Sequence, residues 1–357
     1  MGKYTAIDDP SAHFQVKKWT GNASTNAITL DGNTDMQADF MWHKEQNDTN
    51  GWHQFDSSRG VTKYFASNSS AVESTFSNYL SSFDSNGFTA AGGDSSMNSS
   101  STAQCSWLWK SGAGSTSSNT DGGLTTTIQS NSTAGFNIGT YTGNGGYTTI
   151  GHGLGAIPDL VIIKGVDGNG QGGAAQYWVV GMPNTTTFGN GGSKTLFLDT
   201  DSAIATNTTI WYNTAFTTTT IPIGPHAAVN GNTAGYIFYA FKNIQGFSKV
   251  GEYTGAGSSS PFVYTGFKPA FVLIRRTDSA NSWGIVDNKR GFNGDTKTVF
   301  ADLTNAESST YTLDLLSNGF RPNSNHSIFN QNSGNYVYIA FAENPFVSST
   351  GIPTTAR

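Results

Sequence analysis

The chain has 357 residues, of which 12% are charged, and its net charge is −5. That is about half the usual charged share, with no clustered Lys and Arg of the kind a nucleic-acid partner needs. Aromatics at 13% exclude a disordered chain, the single Cys105 excludes an intrachain disulfide, and no run of about 18 apolar residues offers membrane insertion.

In chain order, the first candidate strand is Phe14-Gln-Val-Lys-Lys-Trp19, ending at Thr20-Gly21. An apolar strand closing on a base follows, Phe40-Met-Trp42-His43-Lys44, then a polar loop with Asp48. A tryptophan strand, Trp52-His-Gln-Phe55, precedes a Lys-Thr-aromatic strand, Thr62-Lys63-Tyr64-Phe65. After the turn Ser85-Asn86-Gly87-Phe88, the copy closes on Trp107-Leu108-Trp109-Lys110. Residues 111–134 are rich in Gly, Ser, Thr and Asn and read as a linker. The landmarks then return as Phe136 to Tyr141-Thr142-Gly143, Leu160-Val-Ile162-Ile-Lys164, Asp167, Trp178-Val-Val180, Lys194-Thr-Leu-Phe197 and Tyr236-Ile-Phe238-Tyr-Ala-Phe241. They return again as Phe247 to Tyr253-Thr254-Gly255, Phe271-Val-Leu-Ile274-Arg275, Asp278, Trp283-Gly-Ile-Val286, Lys297-Thr-Val-Phe300, Ser317-Asn318-Gly319-Phe320 and Tyr336-Val-Tyr338-Ile-Ala-Phe341.

Six landmarks in one order, three times, define an internal repeat. The segments are short, β-branched and aromatic, and bounded by Gly, Asn, Asp and Ser, which is the signature of strands and turns. Asn86-Gly87 and Asn318-Gly319 suit turns that need positive φ. The expected fold is all-β, three tandem β-sandwich, jelly-roll-like modules, each a separate sandwich. The boundaries are 1–110 for the first and most diverged module, a docking candidate; 111–134 for the linker; 135–245 for the second; and 246–357 for the third with its tail. A short helix is weighed over residues 70–80, echoed at 305–316.

The candidate chemistry is sparse. Gly168-Asn-Gly170-Gln-Gly172-Gly173 matches GxGxxG but precedes a strand, not the helix a dinucleotide site requires. His43 and His53 flank a hairpin without a metal-ligand spacing. Asp48, Asp167 and Asp278 recur in equivalent loops; they are weak calcium candidates against the simpler reading of Asx-turns. Asp56-Ser-Ser-Arg59 recurs as Asp287-Asn-Lys-Arg290, suited to a turn clamped by an ion pair, and is lost in copy two. Equivalence across copies assigns Trp52, Trp178 and Trp283 to a core. Trp211, Tyr212 and Phe216, in the diverged stretch 206–230, have no counterpart and are the expected exposed binding residues. No catalytic residues and no cofactor are expected.

Gly246-Phe-Ser-Lys-Val-Gly-Glu-Tyr-Thr-Gly255, Gly266-Phe-Lys-Pro-Ala-Phe-Val-Leu-Ile-Arg-Arg276, Leu316-Ser-Asn-Gly-Phe320 and Tyr338-Ile-Ala-Phe-Ala-Glu-Asn-Pro-Phe346 resemble a repeat family of tailed, largely marine, bacteriophage virion and tail-fibre-type proteins. The resemblance runs from Gly135 to Phe346 and fades in copy one. It implies a non-enzymatic virion structural protein, a tail-fibre or tail-associated component for host attachment, with a capsid decoration or head fibre as the alternative. A glycan-degrading tail enzyme is the remote alternative, since no pair of acids recurs. The expected partners are other virion proteins, the chain itself as a homotrimer, and a host-surface glycan or protein. Assembly in a bacterial cytosol fits the lone thiol and the absence of a secretory leader in residues 1–10.

Overall fold

The computed structural model describes residues 4–93, 95–168, 176–323 and 325–354. The protein is all-β, built from antiparallel sheets, with α-helix confined among the described residues to the single turns Ser95–Asn98 and Ala227–Asn230. Each copy is a two-layer sandwich. Its large sheet has the same strand order three times: opening strand, closing strand, basic strand, tryptophan strand. These are Phe14–Thr20, Ala103–Trp109, Phe40–Glu45 and His53–Asp56 in copy one. They are Phe136–Thr142, Gly235–Phe241, Leu160–Gly165 and Val179–Gly181 in copy two, and Ser248–Thr254, Asn335–Pro345, Phe267–Arg276 and Gly284–Asp287 in copy three. The Lys-Thr strands Lys194–Phe197 and Thr298–Phe300 extend the last two sheets. A smaller sheet forms the second layer: Asn26–Thr29, Gly87–Ala90 and Leu80–Asp84; Thr148–Gly151 and Thr220–Ile223; Val263–Tyr264, Gly319–Pro322 and Leu313–Leu316.

The large sheets are buried on both faces, which is why their central strands read as unbroken apolar runs. Alternation along each strand divides the residues between two cores. Met41, Leu108, Val161, Ile163, Phe238 and Ala240 face into their own sandwiches. Phe40, Trp42, Trp107, Trp109, Leu160, Ile162, Tyr239 and Phe241 face the other way, into a core that also contains Phe271, Leu273 and Phe341 of copy three. The modules are therefore not separate sandwiches. They form a closed ring around a shared aromatic core in which Phe40 lies 4.5 Å from Tyr239, Trp109 5.5 Å from Phe341, and Phe241 5.7 Å from Phe341, between ring centroids. A void of about 30 Å³ remains at the centre, lined by all three copies.

The same bonds close each seam. The Trp178 indole donates to the Ala66 carbonyl (3.1 Å), Trp283 to the Phe197 carbonyl (2.8 Å), and Trp52 to the Phe300 and Leu303 carbonyls (3.0 and 2.9 Å). Each tryptophan thus binds at the end of the Lys-Thr strand of another copy, and the order two to one, three to two, one to three closes. Backbone bonds repeat the pattern: the Glu73, Ile204 and Glu307 amides donate to the Val166, Thr277 and Gln46 carbonyls, each two residues beyond the strand's base.

Two local expectations change. The stretch 111–134 is not free chain. Ser117–Asn119 and Thr126–Asn131 pair onto the edge of copy two's sheet, and the amides of Ser111, Ala113 and Gly114 donate to the Asp39 carboxylate of copy one at 2.7–3.1 Å. Residues 70–80 and 305–316 form no helix. Their backbone groups are used across the seams, with the Gln176 amide donating to Ser70 and the Glu73 amide to Val166, so a tertiary pairing replaces the intrahelical one.

Candidate functional site

The diverged stretch of copy two splits its predicted binding residues. Trp211 and Phe216 are only 1% and 4% exposed. They pack on each other, ring centroids 5.4 Å apart, within copy two's own sandwich. Gly181 makes the room: a Cβ there would sit 2.7 Å from the Trp211 ring. The equivalent residues, Phe55 and Val286, fill that space with their own side chains, so Trp211 is a packing replacement and not an exposed contact. Tyr212 alone reaches the surface, 40% exposed, stacked 4.8 Å from the 52% exposed Tyr147.

The three loop aspartates lie in three different modules. The Asp167 and Asp278 carboxylates accept from the Gly235 and Asn335 amides, which begin the closing strands, at 3.2 and 3.3 Å. Asp278 also pairs with Arg276 at 2.7 Å, and that hydrogen bond holds its carboxyl below the ordinary range. Asp48 accepts from the following amide, Thr49. Among the described residues, no three His, Cys, Asp or Glu side chains gather as metal ligands. His43 and His53 are cross-strand partners with rings 6.1 Å apart. Burial, reinforced by His53 and Lys44, holds His43 well below the usual imidazole value. Most of the glycine-rich GxGxxG stretch lies outside the described residues.

The Asp-x-x-Arg turns sit at the seams. Asp56 pairs with Arg59 and Asp287 with Arg290, both at 2.6 Å and both buried. Each carboxylate also accepts one bond from another copy: Asp56 from the Tyr239 hydroxyl at 3.0 Å, Asp287 from the Trp107 indole at 3.1 Å. Trp107, Tyr239 and Ile339 are equivalent, opposite Trp42, Ile162 and Leu273 on their basic strands. Copy three offers no donor at this position, and copy two, with Met182 and Thr185, has no charge to receive one. The loss of the pair from copy two is therefore matched by its neighbour.

A further feature escaped the sequence reading. Copy three carries an open cleft of about 700 Å³ lined by Phe292, Asn288, Lys268, Glu343 and Leu315, among others. Phe292 is 72% exposed, the most exposed of the large apolar side chains described. It opens a turn in which the Asp295 amide donates to the Phe292 carbonyl at 2.8 Å, and Gly294, at φ +90°, occupies the position that needs positive φ. Copy two builds the same turn at Gly189-Asn190-Gly191, where the Asn190 side chain brackets the Phe216 backbone as Asn293 brackets that of Leu315, so the signal is narrower: Phe292 stands where copy two has Gly189.

No curated protein and no solved structure matches the chain. One family model does, across residues 9–345, a span that takes in all three modules and both connections between them. The ring is thus contained within a single family unit, and the chain belongs to the family described as Domain of unknown function (DUF7483).

Proposed function

We propose that this chain is a non-enzymatic structural protein of a bacteriophage particle, a tail-fibre or tail-associated component that presents a rigid β-sandwich block to the host surface. The observation that carries this reading is the closed ring of three sandwiches on one aromatic core. Tail appendages commonly obtain stiffness from symmetric association of separate chains; here one chain supplies three equivalent modules and equivalent seams. The polar, weakly charged surface suits a particle working in salt water, where charges are screened. Exposed aromatics, Phe292 and the Tyr147–Tyr212 pair, stand on this frame as rigid apolar contacts of the kind binding surfaces use.

A head decoration is the second reading, favoured by one observation. The first and last described segments lie side by side, the Ser349 amide donating to Asp8 at 2.7 Å, and the first segment also meets the junction of copies two and three, the Ala6 amide donating to the Gln245 carbonyl at 3.0 Å. A compact block tied at one place fits a shell plug as well as a fibre tip. Immunogold electron microscopy with antibodies to the chain separates the two. Label on tails is expected; label on heads selects decoration; unlabelled particles, with the protein found only in the infected cell, overturn both.

A further inference from the structure

The cleft of copy three combines a fixed apolar platform with unused polar groups. Phe292 cannot retreat into the fold, because its turn is pinned on both sides. The Asn293 side chain donates to the Leu315 carbonyl at 3.0 Å and accepts from the Leu315 amide at 2.8 Å, and the Gly294 amide donates to Asp314 at 3.1 Å. A large apolar ring held in water on a rigid turn is a preorganised contact. Beside it, the Asn288 side-chain oxygen is buried without a hydrogen-bond partner. Lys268 and Glu343 form a pair about one-third exposed, 3.0 Å apart, that also lines the cleft.

Two ligand classes could use such a cleft, and the geometry chooses between them. An extended peptide would add to the edge strand Leu313–Leu316 that forms one side. That edge is already occupied. The Leu313 amide donates to the Thr296 hydroxyl, which in turn donates to the Leu313 carbonyl, and Asn293 holds both backbone groups of Leu315. What remains open is side-chain chemistry: one aromatic face, the Asn288 side chain, a carboxylate and an ammonium. This set suits a sugar ring, whose C–H face is apolar and whose hydroxyls both donate and accept. The paired Lys268 and Glu343 leave no surplus charge for an ionic ligand.

We propose that this cleft binds an uncharged pyranose unit of a glycan, stacked on Phe292 and hydrogen-bonded by Asn288 and the Lys268–Glu343 pair. The sugar is held and not cut. Asp287, the other carboxylate lining the cleft, has both oxygens occupied, one by the Lys289 and Arg290 amides and the other by Arg290 Nε and the Trp107 indole. A two-carboxylate mechanism needs both acids available. Copy one lacks this Asn-Gly turn and copy two builds it with Gly189 in the place of Phe292, so the aromatic platform occurs once per chain.

This site extends the surface-presentation reading to a ligand class and is tested separately from it. Saturation-transfer NMR is run on the full chain with the methyl glycosides of glucose, galactose, mannose and N-acetylglucosamine. At least one should show transfer to its ring C–H protons. Phe292→Ala should weaken it about tenfold or more, Phe292→Trp should preserve it, and Asn288→Ala should weaken it without moving the melting point. Because Phe292 is exposed, Phe292→Ala should melt as the parent does. No transfer from any glycoside, or transfer that Phe292→Ala leaves intact, overturns the site. So does binding by extended peptides from a random library that Phe292→Ala abolishes. Labelled particles with no glycoside binding would remove this site alone; glycoside binding without labelled particles would remove only the virion reading.

Discussion

Trp52, Trp178 and Trp283 each fill the shared core and, with the indole N–H, reach into another module. The two contributions can be separated at Trp283. Trp283→Phe keeps most of the packing but leaves the Phe197 carbonyl without its donor, and should cost about 1–3 kcal/mol. Trp283→Ala should cost about 3–5 kcal/mol. Urea denaturation reads both, and equal losses would show that the hydrogen bond contributes nothing. Lys164 makes a second prediction at this scale. It is buried, donating to the Ser69 carbonyl of copy one at 3.1 Å and to Gln176, and burial brings its ammonium down to about 7, against the opposing pull of Asp199. The unfolded chain keeps that proton up to about 10.5. Between the two values the unfolded state holds more protons, so stability should rise with pH from 7 towards 10. Lys44, brought down to about 8 by burial, adds to the same slope. Lys164→Met should flatten most of it in denaturation curves at pH 7, 8 and 9; a parent protein with level stability over that range would show a solvated ammonium.

The strand is the level at which the sequence was most readable. Short β-branched and aromatic runs between Asn-Gly turns carried the all-β assignment, and the repeat carried equivalence, so Trp178, Trp283, Phe241 and Phe341 could be placed in a core before any coordinates. What a strand pattern cannot carry is which of two buried faces meets which neighbour. Tyr336-Val-Tyr-Ile-Ala-Phe341 reads the same whether its second face covers a sandwich or a ring axis. The same ambiguity misplaced Trp211: lack of a repeat counterpart separates a residue from the shared core but not from a private one, and Gly181, whose missing side chain Trp211 replaces, lies 30 residues away. The seam turns are testable at the same level. Tyr239→Phe removes one acceptor contact from the buried Asp56 and should destabilise by about 1–3 kcal/mol. In the background Asp56→Asn the same change should cost measurably less, because the two groups are coupled. Additive losses would place the hydroxyl elsewhere.

For the whole molecule, a core drawn from three modules makes independent melting impossible. Calorimetry should give one transition, with calorimetric and van't Hoff enthalpies in agreement, despite three repeats and 357 residues. Two or three resolved peaks would mean that the modules stand alone.

The seams have a direction. Every module has one edge that gives a tryptophan and an unlike edge that receives one, and the ring is complete only because the third rotation returns to the first module. Interfaces of this head-to-tail kind close or else propagate. Removing residues 1–110 would uncover the giving edge of copy two, at Trp178, and the receiving edge of copy three, at the Phe300 carbonyl. One fragment cannot join its own two edges across the gap, but the next fragment can. A two-module chain should therefore polymerise, its light scattering growing with concentration into chains or larger rings, while the intact protein, with no open edge, stays at one size.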